Sequence, residues 1–544
     1  MNDVAINSHV SSNSRAPGGA RSLDAKWWTL IAVGIGVFML LLDLTIVNVA
    51  LPDIQRELHG SISDLQWIID AYALSLGALM LMAGSLADLL GRRIVFMTGI
   101  VIFMAGSLLC GVAQSPLFLT LARAGQGVGG AAMFATSLAL IANAYQGKDR
   151  GVAFGVFGAI TGVASAVGPV LGGAITSGLS WRWIFFVNIP IGAVAIAITL
   201  RRVRESRDPD AGRPDWLGFI TFSSALGLLV YGLIESSSHA WGSSRVAGPL
   251  TASVVLLALF VVAELLQRRP MFDLSLLRNP SFVGGLLSAF AISASALSML
   301  TFVVLYLQNV LHLSPIQTGL RLLVLSGATF MTAGMAGRLT AKLPARLLIG
   351  PGFVLVGIGL LLERGLTASS GWTHLLPGLI VVGAGTGMVN TPLASVAVGV
   401  VNPRRAGMAS GINSTFRQVG IAAGVAALGS IFASQIRSNV STTLAHTPLA
   451  HSAHQIASAV SSGHIAQVIA HAPPALRGQV VAASTGSFAH ALNDILLIAA
   501  VVGFAGAVAA LALIRPKDLV DVADEARGET RWSRDAAPQA EWAA

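Results

Sequence analysis

Two ionisable residues lie where a spanning helix would bury them in oil, and together they suggest proton chemistry. Arg123 sits in the middle of an apolar run from Ser115 to Ile141, reading Leu121-Ala122-Arg123-Ala124-Gly125-Gln126-Gly127. A guanidinium cannot shed its proton to escape a low dielectric, so it needs a carboxylate, backbone carbonyls or internal water. Asp43, in Leu42-Asp43-Leu44-Thr45-Ile46-Val47-Asn48 of the first apolar run, is the favoured proton site. A carboxyl at that depth can hold a proton in one set of surroundings and release it in another, which is what a proton-driven carrier needs. A carboxylate fixed permanently by a neighbouring helix is the alternative reading. On the proton-site reading, Asp43→Asn should abolish proton-driven transport and leave folding largely intact.

Other polar residues at membrane depth are candidates to line a central cavity: Thr45, Asn48, Asp70, Gln126, Arg321, Asn413, Arg417 and Gln418. Asp70, near the start of the second run, suits a solvated or capping role as well as a cavity. Arg321 and Arg417 either line the cavity or pair locally. Glu235 and Glu264 stand at helix ends, where snorkelling or solvation explains them. The fifth run carries Gly155, Gly158, Gly162, Gly168, Pro169, Gly172 and Gly173, small residues that permit close helix approach and a proline that bends the helix. A hinge or a dry gate would follow, and ordinary helix packing would use the same residues.

Several chemistries are excluded or left without residues. Gly125, Gly127 and Gly130 match the dinucleotide fingerprint formally but lie inside an apolar helix with no preceding strand. A nucleotide-binding Gly-x-x-x-x-Gly-Lys-Ser/Thr loop is absent from the sequence, so an ion gradient is the simplest energy source. Nothing suggests a catalytic constellation or a cofactor, and an enzyme is not expected. Cys110, the single cysteine, rules out an intrachain disulfide and a cysteine metal cluster. His451 and His454 have a spacing that could hold a metal on one helix face, but few carboxylates accompany them and no metal site is assigned.

The elements that must position these residues follow from composition. Of 544 residues, 54% are hydrophobic and 11% charged, against about 25% charged in soluble domains. This is the signature of an all-α, multi-pass membrane protein. Apolar stretches near the ~20 residues of a spanning helix recur, at 27–50, 65–87, 94–113, 117–141, 152–178, 183–200, 215–235, 247–267, 282–307, 315–336, 347–366, 372–400, 406–435 and 487–514. Lys and Arg crowd alternate loops, as at Arg92, Arg93, Arg201, Arg202, Arg268, Arg269, Arg404 and Arg405, which places both termini in the cytoplasm. The basic residues are spread over many loops, so the pI of 10.5 does not indicate nucleic acid. With no h-region in residues 1–26, the first span is expected to act as the insertion signal.

The expected organisation is a cytoplasmic tail, 1–26; a six-helix bundle, 27–200; linkers with two inserted spans, 201–280; a second six-helix bundle, 281–514, with an outer loop at 436–484; and a cytoplasmic tail, 515–544. A weak internal echo supports parallel halves: Gly84, Leu86, Leu90 and Arg93 are matched at Gly337, Leu339, Leu343 and Arg346 in an equivalent loop.

At these residues the chain resembles the major facilitator superfamily, and within it the fourteen-helix drug:proton antiporters of the multidrug-efflux type. The pattern Gly-x-x-x-Asp-x-x-Gly-Arg-Arg is met by Gly84, Asp88, Gly91, Arg92 and Arg93; Arg-x-x-Gln-Gly by Arg123, Gln126 and Gly127; and the antiporter ending Gly-Pro-x-x-Gly-Gly by Gly168, Pro169, Gly172 and Gly173. The stretches Leu42–Pro52 and Trp181–Pro190 are also similar. The resemblance implies two bundles rocking about a central cavity. It makes Arg123 a proton-coupling residue and Asp88 with its arginines a clasp that biases the conformational equilibrium. The glycine-rich fifth helix, including Gly155, would limit leak. It further implies proton-driven export of small hydrophobic or amphipathic compounds across the cell membrane, with protons, the substrate and lipid as the only partners, and a monomer. The family departure at Leu89, Ala341 and Pro344 makes the clasp asymmetric. Arg321 and Arg417, where some relatives carry acids, leave neutral, zwitterionic or anionic substrates open. Export of a native metabolite, peptide or lipid, and a non-transporting membrane sensor or scaffold, are the alternatives.

Overall fold

The computed structural model describes residues 25–145, 147–207, 214–236, 239–267, 270–340, 342–400, 406–445, 447–461 and 474–518. The terminal tails, Ala341, Arg268, Arg269, Arg404, Arg405, His446, His464 and His471 lie outside these. Among the described residues there are thirteen helices long and apolar enough to cross a membrane, with the shorter apolar helix Arg346–Leu362 beside them. They are α1 Ala25–Leu58, α2 Ile62–Leu90, α3 Arg92–Gly111, α4 Pro116–Ala144, α5 Gly147–Gly178, α6 Trp183–Arg202, α7 Trp216–Glu235, α8 Ser244–Leu266, α9 Pro280–Asn309, α10 Pro315–Leu339, α11 Arg346–Leu362, α12 Leu376–Gly399, α13 Ala406–Leu444 and α14 Arg477–Leu513.

Helix ends are set by local chemistry. Ser61 caps α2 and Ser314 caps α10 in reciprocal capping boxes with Asp64 and Gln317, which satisfies otherwise orphaned amides. Ser115 caps α4 with Pro116 at its first position. Between α2 and α3 the chain turns at Gly91, whose φ of +119° is a conformation that L side chains rarely adopt. An added Cβ there would also lie 2.7 Å from the Glu205 carboxyl carbon. Gly91→Ala is therefore expected to lower stability by about 1–3 kcal/mol, measurable as a drop in melting temperature in detergent.

Three departures from the sequence reading have local causes. The sixth span is broken: Trp183–Phe186 and Asn188–Arg202 are separate helical pieces joined at Val187, three residues ahead of Pro190. Within α9, Ser293–Leu297 forms a π-helical turn in which Ser298 Oγ donates to Ser293 O at 2.9 Å. The expected outer loop is partly helix. α13 continues to Leu444, α14 begins at Arg477, and a short helix spans Ala453–Ser461. At ~1.5 Å per residue, the 39 residues of α13 extend roughly 58 Å, well beyond a bilayer core.

Packing divides the helices. α4 lies against α2 and α3, and α1 against α5 and α6; in the second half α12 packs on α10 and α11, and α14 on α9, α11 and α13. The halves meet along α2 with α13, α5 with α10, and α1 with α9. The inserted hairpin, α7 and α8, lies outside this seam and touches both sides. Tyr231 stacks near Trp67 of α2, with centroids 6.2 Å apart, and Ser236 Oγ is 2.6 Å from Ser430 Oγ of α13.

Candidate functional site

The polar centre of the first half is enclosed by α1, α2, α3, α4 and α6. α4 reaches it because small residues let backbones approach: a Cβ at Gly127 would lie 2.6 Å from Tyr72 O of α2, and one at Gly106 of α3 would lie 2.7 Å from Gln126 Cα. Arg123 and Gln126, three residues apart, then project together into the bundle. Asp43 and Arg123 form a direct ion pair, with Arg123 Nη1 donating to Asp43 Oδ2; they are 0% and 1% exposed.

Most of the other polar atoms around the pair are engaged. Arg123 also donates to Gln126 Oε1 at 2.7 Å and through Nε to Ile68 O at 3.3 Å, and its guanidinium lies 4.1 Å from the centre of the Tyr72 ring. Asp43 Oδ1 accepts from Gln126 Nε2 at 2.9 Å and from Asn188 Nδ2 at 3.2 Å. Ser107 Oγ accepts from Asn188 at 2.9 Å and from Gln126 at 3.2 Å, and donates to Phe185 O at 2.9 Å. A buried charge pair is tolerated only when both ions and their neighbours are satisfied in this way. Chemically, each member of the pair is the other's counter-charge, so loss of either charge leaves the other buried and unpaired.

The sequence reading named Asp43, Arg123 and Gln126. Gln126 lies in this sealed network and not on a cavity wall. Ser107 and Tyr72 were not singled out, and Asn188 appeared only as part of a familiar stretch. Their signal was weak because serine, asparagine and tyrosine are common in spanning helices.

The other expected site residues fall in different places. Thr45 donates to Leu41 O and Leu42 O of its own helix, and Gly168 of α5 packs directly onto its hydroxyl. Asn48 Oδ1 accepts from Thr301 Oγ1 of α9 at 3.0 Å, and Gln308 Nε2 of α9 donates to Val49 O at 2.8 Å. Gln66 Nε2 donates to Val425 O of α13 at 3.0 Å, and Thr415 Oγ1 to Gly77 O at 2.9 Å. Gln418 packs on Gly77. Asn413 donates to Gly285 O of α9 at 3.4 Å.

Asp70 shares its helix face with Gln66 and Gly77, both of which touch α13. It is 0% exposed, so the solvated reading does not hold, and neither carboxylate oxygen has a hydrogen-bond partner among the described residues. Arg321 donates to Gln317 O and lies 5.0 Å from the Trp372 ring. Arg417 is half-buried on α13.

Motif glycines of the fifth helix sit at the seam and against α1. A Cβ at Gly173 would lie 2.4 Å from Pro315 O of α10, and one at Gly172 would lie 2.7 Å from Ile46 O of α1. Pro169 O in turn approaches Gly319, while a Cβ at Gly155 would meet nothing within 4 Å. At the α2–α3 turn, Arg92 binds Asp88 through Nε at 3.0 Å and Nη2 at 2.9 Å. Glu205 caps the start of α3 by accepting from Arg93 N at 2.9 Å and Ile94 N at 3.2 Å, and Arg93 Nη2 donates to Leu200 O at 2.8 Å. Gly84 has nothing within 4 Å of an added Cβ. These contacts stay within the first half. At the opposite end, Glu57 accepts from Trp181 Nε1 at 2.6 Å and pairs with Arg182, which also donates to Ala113 O at 2.8 Å. Among the described residues no cluster of three His, Cys, Asp or Glu could hold a metal ion.

Comparison with known proteins agrees with this architecture. The family model described as Major Facilitator Superfamily matches residues 33–425. The chain is 39% identical over 406 residues to multidrug resistance protein Stp of Mycobacterium tuberculosis, covering 74% of this chain and 75% of that protein. It is 35% identical over 421 residues to drug efflux pump JefA of the same organism, covering 77% and 82%. Among solved structures, a bacterial homologue of the human lysosomal transporter Spinster, inward-facing and occupied, superposes with a TM-score of 0.62 at 16% identity, covering 92% of this chain and all of that one. The helical architecture, the family match and the extent of identity together show that this chain belongs to the major facilitator superfamily.

Proposed function

We propose that the protein is a proton-driven exporter of small hydrophobic or amphipathic compounds, working by antiport in the cell membrane with both termini in the cytoplasm. The observation that carries this reading is the sealed Asp43–Arg123 pair, an ionisable switch wired into five helices of one half. The drug resistance and drug efflux in the names of its relatives support the substrate class. On this orientation the face carrying the α1–α2 turn is the outer one. The seam is held together near that face by Asn48 with Thr301, Gln308 with Val49 O, and Gln66 with Val425 O.

In this account a proton reaching Asp43 from outside frees Arg123 from its partner, and the first half repacks. Release inward restores the pair. Substrate and proton must differ in affinity between the two states, because a ligand that binds both equally shifts neither. Asp70, buried without a partner on the α2 face that meets α13, is a candidate second acid on the moving surface.

A purified sample in proteoliposomes with an imposed pH gradient tests the reading. Accumulation of lipophilic dyes that collapses with a proton ionophore is expected; accumulation that ignores the gradient would overturn it. Because an unpartnered buried carboxylate costs stability, Asp70→Asn is expected to leave the melting temperature unchanged or raised while reducing gradient-driven flux. A lowered melting temperature would instead show that Asp70 makes a stabilising contact.

A further inference from the structure

We propose that Glu363, in the second half, carries an exchangeable proton at a site separate from Asp43 and Arg123. The inference rests on the proton-antiport reading, and it concerns a residue to which that reading gives no part. Glu363 follows the last residue of α11 on the face that carries the α1–α2 turn, yet it is only 2% exposed. It does not turn outward, because the α12 backbone presses on it: a Cβ at Gly378 would lie 2.3 Å from Glu363 Cγ. Its side chain borders a small cavity of about 10 Å³, whose other walls are apolar and include Met299 and Val303 of α9, Leu325 of α10, Leu360 of α11 and Val382 of α12.

No hydrogen bond or ion pair reaches the Glu363 carboxylate among the described residues. The charged and titratable groups on the elements around it are engaged elsewhere. Arg364 donates through Nε to Asn493 O of α14 at 3.0 Å, and Arg321 of α10 donates to Gln317 O and lies over Trp372. Tyr306 of α9 donates to Ser370 O at 3.1 Å, and His374, ahead of α12, bonds Arg364 O at 2.7 Å. An ionised carboxylate in such surroundings is uncompensated and strongly disfavoured, so the neutral acid is the species that fits this conformation.

Size decides what else could occupy the site. Ligand pockets for drug-sized molecules run to about 300–1,000 Å³, so this cavity, with room for about one water at most, is too small for a transported drug and leaves a proton on the carboxyl as what it can hold. The cavity wall includes Ala296, within the π turn of α9. Such turns often mark functional sites and supply a place where α9 could change register and open a path to Glu363. If that face is the outer one, the site stands where protons enter.

Infrared difference spectra of the full-length protein, without added substrate, test protonation directly. A carbonyl-stretch component from a protonated Glu363 is expected in the wild type at neutral pH, shifted in heavy water and lost as pH rises, and it is the component that Glu363→Gln lacks while any band from Asp70 remains. Glu363→Asp, a carboxyl one methylene shorter, should retain a displaced band. A wild-type-minus-Glu363→Gln difference with no such band would overturn the proposal, whichever variant folds better. In proteoliposomes with ethidium as probe, Glu363→Gln is expected to move one proton fewer per ethidium than the wild type. An unchanged ratio would also overturn it. Failure of the wild type itself to couple ethidium to the gradient would count against the antiport reading alone, since the infrared band decides the state of Glu363 independently.

Discussion

Arg123→Ala is expected to abolish proton-driven transport and to destabilise the protein by roughly 3–5 kcal/mol, because it leaves the Asp43 carboxylate buried without its counter-charge. Asp43→Asn should do nearly the same. Oδ2 accepts from Arg123, and Oδ1 accepts from both Gln126 and Asn188. An amide nitrogen in either position would therefore face donors, and Arg123 would be left as an orphan cation. On the sequence alone Asp43→Asn looks structurally mild; the saturated network is the reason it is not. The double variant, Arg123→Ala with Asp43→Asn, removes both charges and should recover much of the lost stability while transport stays absent. Thermal melting of the two single variants and the double variant, set against uptake in proteoliposomes, gives the coupling energy between the two sites. Additive losses would contradict the pairing.

Gly173→Leu should block the cycle in the opposite way, by holding the seam apart at the face that carries the α1–α2 turn. A Cβ at this position meets Pro315 O at 2.4 Å and Ile316 Cα at 2.8 Å, and these are backbone atoms that cannot rotate away. Overpacking of this kind costs about 1–3 kcal/mol, enough to shift the balance between two conformations roughly five- to 150-fold. Transport should fall accordingly while the fold survives, since the penalty vanishes once the halves separate. A cysteine placed at Thr301, which is 4% exposed at the seam, reports the shift, because native Cys110 is fully buried and silent. Labelling of Thr301→Cys should rise sharply in the Gly173→Leu background. Gly429→Ala should be milder: its added Cβ meets Gln66 Nε2, the movable end of a side chain, and only the bond to Val425 O is lost.

What could be read from the sequence was whatever stands out against oil. The spans are visible as apolar runs bounded by Arg, Pro and Gly, and their order matches the helices of the structure, while α1, α13 and α14 run eight, nine and ten residues past an expected end. Arg123 and Asp43 were visible singly, because a fixed charge at membrane depth needs a reason. Their pairing was not, since it depends on which faces of α1 and α4 turn toward each other, and those faces are set by the glycine contacts of α4 with α2 and α3. Ser107, Asn188 and Tyr72 are ordinary residues until the fold gathers them. Glu363 is illegible in the sequence for a related reason: a glutamate at the end of a span looks solvated, and only the packing of α12 over it shows otherwise. The π turn in α9 and the break at Val187 are small backbone adjustments inside runs whose composition remains helical throughout.

Asp43 is proposed to link proton movement to the rocking of the two halves, and a comparison of two transport modes measures that link. In proteoliposomes, uphill accumulation of a lipophilic dye under a pH gradient requires a proton to cross, whereas exchange of labelled for unlabelled dye without a gradient does not. For Asp43→Asn, in preparations shown to be folded, loss of uphill accumulation with exchange retained is the predicted result. Uphill accumulation at the wild-type rate would contradict the account.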